Sequence, residues 1–191
     1  MDHAPSVARV APLVTLRRAT PDDAVTLHRW RAEPTSRRYQ PIRPMGVDEL
    51  RARLAEMAER VVDSYLDGDV QWIVEVGQPV GWVMLKDIDR DHRSGAIGYT
   101  VGAQFHGRGI GTAAVRAVLP LAFDMVDLAR LEAVAAVENH ASRRVLENAG
   151  FRLEGIARGL LIIDGVRVDH ARYGLLRSDW HAMEGTMVDG D

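Results

Sequence analysis

Apolar residues along the 191-residue chain recur with two periods, and the change from one to the other divides it into strands and helices. Residues 14–18 fit a short strand. Thr20-Pro21-Asp22-Asp23 then reads as a helix start, with Thr20 as N-cap, Pro21 in the first helical position and Asp23 in the first turn. That helix is predicted to reach about Ala32, where Glu33-Pro34 ends it, and residues 37–45 are loop-like. A second helix is predicted over residues 47–63, where Leu50, Leu54, Met57 and Val61 share a face. Residues 70–76 and 80–87, joined by Gly77-Gln78-Pro79, read as a hairpin, and residues 87–93 as a charged connection. Residues 95–101 alternate again, with Ile97, Tyr99 and Val101 on one face. A helix follows over residues 112–123, in which Pro120 should cause a kink, since it removes one hydrogen bond.

Residues 131–137 are almost continuously apolar, the pattern of a strand buried on both faces. Asn139 is placed to cap a helix whose Val145 and Leu146 face the core, and Gly150 to close it. Residues 152–157 and 167–176 read as a last strand pair, with residues 159–165 a hydrophobic connection between them. The expected organisation is a leader over residues 1–12, one domain over residues 13–181 and a tail over residues 182–191.

Composition narrows the possibilities by exclusion. A net charge of −3 gives no global signal for nucleic acid or an anionic membrane. The chain has no cysteine, which removes disulfides, thiolate metal sites and a cysteine nucleophile; no metal is expected. No apolar run approaches the roughly 20 residues that span a bilayer, and no signal pattern is visible, so a cytoplasmic protein is expected. Of the 24 basic residues only Lys86 is lysine.

The stretch with most chemical content lies between the strand at residues 95–101 and the following helix. Gly107, Gly109 and Gly111 stand at alternate positions in His106-Gly107-Arg108-Gly109-Ile110-Gly111-Thr112. A strand turning through such glycines into a helix brings unpartnered backbone N–H groups to one point and removes the Cβ atoms that would hold a ligand away. The helix dipole adds partial positive charge there, which suits a phosphate or pyrophosphate. A tight connection with no ligand has the same pattern. A P-loop is excluded by the missing Gly-Lys-Ser/Thr ending, and the dinucleotide fingerprint by Thr112 where a final Gly or Ala is needed.

This stretch resembles motif A of the GNAT superfamily of acyl-CoA N-acyltransferases, Gln/Arg-x-x-Gly-x-Gly/Ala, with His106 departing at the first position. Residues 139–151 resemble motif B, Asn-x-x-Ser followed by Leu-x-x-x-Gly-Phe, through Asn139, Ser142, Leu146, Gly150 and Phe151. Tyr173-Gly174-Leu175-Leu176 before Asp179-Trp180, together with Leu153-Glu154-Gly155 and Arg158, resembles the ribosomal-protein N-acetyltransferase branch.

The resemblance implies an α/β (α+β) GNAT fold. That is a mixed, mostly antiparallel sheet of about seven strands, splayed between the fourth and fifth and flanked by about four helices. It implies acetyl-CoA as co-substrate, with Gly107, Arg108, Gly109, Ile110, Gly111, Thr112 and His106 around its pyrophosphate. Thr100 and Val101 would give backbone contacts to the pantetheine, and Asn139 a hydrogen bond to the same arm. Ser142 is the position proposed to protonate the leaving sulfur, with Tyr99 another candidate acid. Arg108 and Arg143 are candidate phosphate contacts.

The base is not evident. Relatives often carry Glu before Ile-Gly-Tyr, where this chain has Ala96. Glu75, Asp87, Glu138 or a water relay remain as substitutes. The implied activity is acetyl transfer from the thioester to a primary amine by direct attack in a ternary complex. The acceptor is left open between a protein N-terminus and a small amine such as a polyamine or aminoglycoside-like antibiotic. A non-catalytic acyl-CoA-binding module and a nucleotide-binding domain also fit the residues. A homodimer through residues 160–163 is a further expectation, and those residues fit an internal strand equally well.

Overall fold

A computed structural model describes residues 12–59 and 68–188. The expected leader, up to residue 11, and the expected helix beyond residue 59 lie outside the described residues. The strands are β1 (Thr15–Arg18), β2 (Val70–Glu75), β3 (Pro79–Asp89), β4 (Ser94–Val101), β5 (Arg130–Ala136), β6 (Arg152–Ile163) and β7 (Val166–Leu176). The helices are α1 (Ala24–Ala32), the single turn α2 (Pro34–Arg37), α3 (Val47–Glu59), α4 (Ile110–Pro120), α5 (His140–Asn148) and α6 (Arg177–Val188). The last of these runs on into the stretch read as a tail.

One sheet in the order β1-β2-β3-β4-β5-β7-β6 carries the whole fold. Every neighbouring pair is antiparallel except β4–β5. That parallel pair is matched only from Ser94 with Arg130 to Ala96 with Glu132. Beyond those residues β4 keeps β3 as its partner and β5 keeps β7, so their facing edges part. Each edge there presents N–H and C=O groups that the sheet itself does not satisfy.

Strand alternation assigns the side chains to two cores. Val83 and Leu85 of β3 point to the face covered by α4 and α5, where Ile110, Val115, Val118 and Leu146 are buried. Phe123 extends this core and stacks on Trp180 of α6, ring centroids 5.3 Å apart. The preceding position, Trp82, points to the opposite face, against Leu27 and Trp30 of α1 and Leu50 and Leu54 of α3. Burying one such side chain stabilises the fold by roughly 1.5–3 kcal/mol. The corner before α1 is fixed by Asp23, whose two carboxylate oxygens each accept a 2.8 Å hydrogen bond from Arg17. The same carboxylate also accepts from the Thr20 N–H at 2.8 Å.

Several expectations need correction. Residues 160–163, open between a connection and an internal strand, are strand: residues 159–163 complete β6, and only Asp164-Gly165 turns the chain into β7. Strand β5 is not buried throughout, since Val134 is 46% exposed where the sheet opens. Among the described residues, six helices flank the sheet. At Pro120 the missing N–H is absorbed by a wider turn over Leu121–Met125, in which Val126 N–H reaches the Leu121 carbonyl at 3.0 Å.

Candidate active site

The glycine stretch emerges from the open end of β4. A single 3-10 turn, Ala103–Phe105, buries Phe105, and the chain then runs exposed through His106 to Gly109 before α4 begins. Gly107 and Gly109 have φ of 73° and 78°, a conformation that costs a residue with a Cβ about 1–2 kcal/mol. Gly109 is the N-cap of α4, and Ala113 is the residue whose N–H bonds back to its carbonyl, at 3.1 Å. The N–H groups of Ile110, Gly111 and Thr112 precede that bond and point out of the helix end. Gly111 serves a different purpose. A Cβ there would lie 3.1 Å from Val145 of α5 and 3.9 Å from Val101, so the glycine lets the two helices close on the end of β4.

The parted strands enclose a cleft of about 530 Å³, lined by Tyr99 and Thr100 on one side and by residues 133–136 on the other, with Asn139 and Ser142 at its edge. Asn139 caps α5, its Oδ1 accepting from the Ser142 N–H at 3.1 Å. This fixes the first turn of α5 and hence the Ser142 side chain. Tyr99, on β4, reaches across the gap: its hydroxyl lies 2.7 Å from Ser142 Oγ and donates to the Ser142 carbonyl at 3.1 Å. Burial pushes the Tyr99 phenol above its ordinary value near 10, against a smaller opposing pull from the Ser142 hydrogen bond. The hydroxyl therefore stays protonated through the neutral range. Its single proton can go either to the Ser142 carbonyl or to Ser142 Oγ.

Other expected site residues are placed differently. His106 donates from Nε2 to the Val101 carbonyl at 2.7 Å, so its ring braces the turn. Arg108 lies 5.9 Å over the Phe105 ring, on the exposed outside of the loop. Arg143 is turned away from the loop, donating to the Tyr173 hydroxyl at 3.1 Å and to the Val137 carbonyl at 3.3 Å. Of the candidate bases, Glu75 pairs with Arg17 at 3.0 Å and Asp87 with Lys86 at 2.6 Å. Glu138 lies 4.0 Å from His140. None of these three carboxylates lines the cleft.

The cleft does contain a histidine. His170 of β7, 2% exposed, sits opposite Ala136 in the register and lines the cavity. Its Nδ1 is 2.9 Å from the Val168 carbonyl, an atom that can only accept, so the proton is on Nδ1. In the neutral ring this leaves Nε2 as the acceptor. Val-Asp-His-Ala-Arg has no motif spacing. The one signal was a polar residue inside an apolar strand pattern, and that acquires meaning only when β7 is placed beside β5.

Comparison with known proteins agrees with this architecture. The family profile described as "Acetyltransferase (GNAT) domain" matches residues 14–152. YdaF of Bacillus subtilis (strain 168), provisionally named a ribosomal N-acetyltransferase, is 37% identical over 115 residues, 60% of this chain. The match spans 63% of YdaF, so the chain covers less than two thirds of that relative's length. A solved structure described as a probable acetyltransferase has 30% identity and a TM-score of 0.75, covering 87% of this chain and 94% of its own. RimJ of Mycobacterium smegmatis, solved in complex with CoA-disulfide, has 26% identity and a TM-score of 0.77, covering 91% and 88%. The profile match takes in both outer helices, the parted strands, the glycine turn and the capped α5, and the chain is thereby a member of the GNAT acetyltransferase family.

Proposed function

We propose that this protein is an acetyl-CoA-dependent N-acetyltransferase that moves an acetyl group from the thioester to a primary amine by direct attack in a ternary complex. The observation that carries the reading is the parting of β4 and β5 after Ala96 and Glu132. It opens a path with hydrogen-bonding walls from the glycine turn to the Tyr99–Ser142 pair. The left-handed Gly109 and the open space around a Cβ at Gly107 suit a pyrophosphate against the α4 terminus. RimJ's crystallisation with a CoA derivative supports the same ligand.

When bound, acetyl-CoA supplies an activated carbonyl. The chain's own groups supply the rest. The free edges of β4 and β5 hold the extended arm as an added strand would be held. Thr100 and Val101 contribute from β4 and Asn139 from the start of α5. The amine nitrogen bonds to the carbonyl carbon and the carbon–sulfur bond breaks. His170 Nε2, directly or through water, takes the proton released by the amine. Ser142 Oγ–H, backed by the Tyr99 hydroxyl, donates to the sulfur as its charge develops.

Calorimetric titration with acetyl-CoA, coenzyme A, NAD and ATP tests the reading, repeated on Gly109→Glu. Micromolar acetyl-CoA binding lost in the variant, followed by thiol release on adding an amine, is the expected result. No acetyl-CoA binding by the unmodified protein, or a preference for NAD or ATP, overturns it. Binding without turnover on any amine would leave only an acyl-CoA-binding module.

A further inference from the structure

Beyond the Tyr99–Ser142 pair the cleft is also lined by residues of α1, residues 39–45 and α3, the side assigned here to the amine. Its charge is of one sign. Arg31, Arg43, Arg53 and Lys86 line it, and among the described lining residues there is neither Asp nor Glu. Outer carboxylates answer two of these cations, Arg43 by Glu49 at 2.8 Å and Lys86 by Asp87 at 2.6 Å. Arg53 has Asp69 only at 4.0 Å. Arg31, half-buried, donates to the Arg43 carbonyl at 3.0 Å, and no carboxylate among the described residues pairs with it. Burial and then the neighbouring Arg53 hold its guanidinium below its ordinary value, Glu49 offsetting part of this.

Lys86 adds to the asymmetry. It faces Ala96 across the β3–β4 register, at the last residue before β4 and β5 part. A cation therefore stands beside the strand position where a carboxylate would otherwise attract and deprotonate an ammonium ion. A polyamine entering here meets repulsion at each charge. A single ammonium is pushed toward its neutral, nucleophilic form by the same field. Guanidinium groups, in turn, match carboxylate and phosphate oxygens in geometry as well as charge.

We propose that the acceptor is a primary amine carrying a carboxylate or phosphate close to the reacting nitrogen, with Arg31 and Arg53 as its specificity-determining contacts. This inference rests on the acetyltransferase reading and names its substrate class. Two sources share that chemistry, an amino terminus followed by acidic side chains and a small anionic amine.

The test is thiol release at saturating acetyl-CoA with paired acceptors. Peptides beginning with the same alanine carry Asp or Lys at the next two positions, and O-phosphoethanolamine and glycine are set against ethylamine and spermidine. The anionic member of at least one pair should have a kcat/KM about tenfold or more above its partner, the advantage shrinking with added salt. Whichever pair responds identifies the source. The double variant Arg31→Gln, Arg53→Gln should raise the KM of the anionic acceptor about tenfold with little change in kcat. Its acetyl-CoA affinity and melting temperature should match the unmodified protein. Equal or better use of spermidine and the Lys peptide overturns the inference, as does a charge preference unmoved in a folded double variant. Should that variant not fold, the acceptor pairs and their salt dependence decide alone. Absence of acetyl-CoA binding would remove the acetyltransferase reading and this inference together, whereas binding with cationic preference removes only this one.

Discussion

The Tyr99–Ser142 hydrogen bond allows the sharpest test, because its two members should fail as one. Tyr99→Phe deletes an oxygen and keeps the ring packed against the core. Stability should therefore fall by about 1 kcal/mol, the net worth of one hydrogen bond. Ser142→Ala should lose less, because the phenol retains the Ser142 carbonyl at 3.1 Å. For a chain of this size the loss of about 1 kcal/mol is a fall in Tm of about 2–4 °C, and Ser142→Ala should fall by less. Turnover should change far more. A hydrogen bond to a developing thiolate is worth about 1.5–3 kcal/mol, so each single variant should lower kcat about 10- to 100-fold, with the KM for acetyl-CoA little changed.

In the proposed relay the phenol donates to Ser142 Oγ across 2.7 Å, and Ser142 alone donates to the sulfur. The double variant should then be no slower than Ser142→Ala, a coupling comparable to the single effect. The assay is thiol release at saturating acetyl-CoA across pH 6–10, with melting curves beside it. Because burial holds the phenol above its ordinary value near 10, Tyr99→Phe should leave the alkaline limb of that profile in place. Two results refute the relay. Losses that multiply in the double variant would make the groups independent. Full turnover in Ser142→Ala with loss in Tyr99→Phe would make the phenol the direct donor.

Three further outcomes follow from single contacts. His170→Ala should lose most turnover and keep acetyl-CoA affinity, and added imidazole should restore part of the rate; an unchanged rate removes His170 as base. Among the described residues a Cβ at Gly109 meets only the Pro12 ring, Cδ at 3.4 Å and Cγ at 4.0 Å. Gly109→Ala should thus destabilise by about 1–2 kcal/mol through its φ of 78°, and Gly109→Glu should in addition abolish acetyl-CoA binding, read by calorimetry. Asp23 has its carboxyl pushed up by burial and pulled further down by Arg17 and Thr20, ending below its usual value. Its ionised form thus stabilises the fold at pH above about 4, and the contribution is lost as pH falls through the depressed value. Asp23→Asn should cost about 1–2 kcal/mol at pH 7, discounted because Arg17 is 39% exposed and keeps Glu75. In denaturant melts the gap to the unmodified protein should close toward pH 3; a constant gap would refute the assignment.

What the sequence shows of this protein depends on whether the cause is local. Asn139 as a cap, Gly109 at a left-handed turn and the alternation of Val83 and Leu85 with Trp82 each express a preference of a few adjacent residues, and each is legible in the chain. Residues 159–163 were legible only as one of two readings, a connection or a strand. Gly159 interrupts their apolar run with a φ of 58°, but the hydrogen bonds of β7 carry β6 past it as far as Ile163. The chemistry divides in the same way. Ser142 and Tyr99, 43 residues apart, were singled out by motif, but their 2.7 Å contact exists only because β4 and α5 meet across the parted sheet.

His170 and the four cations of the acceptor side show the limit most clearly. A buried histidine with no motif and arginines in an arginine-rich chain carry no sign of a site in sequence. Their meaning comes from what is absent beside them, a carboxylate at Ala96 and any Asp or Glu among the described residues lining the cleft. In sequence, the missing glutamate counts against catalysis. In the fold it fits the arrangement proposed above, in which cations disfavour the protonated amine and His170 Nε2 across the sheet accepts its proton. The same substitution that removes the expected base thus fits an acceptor of opposite charge.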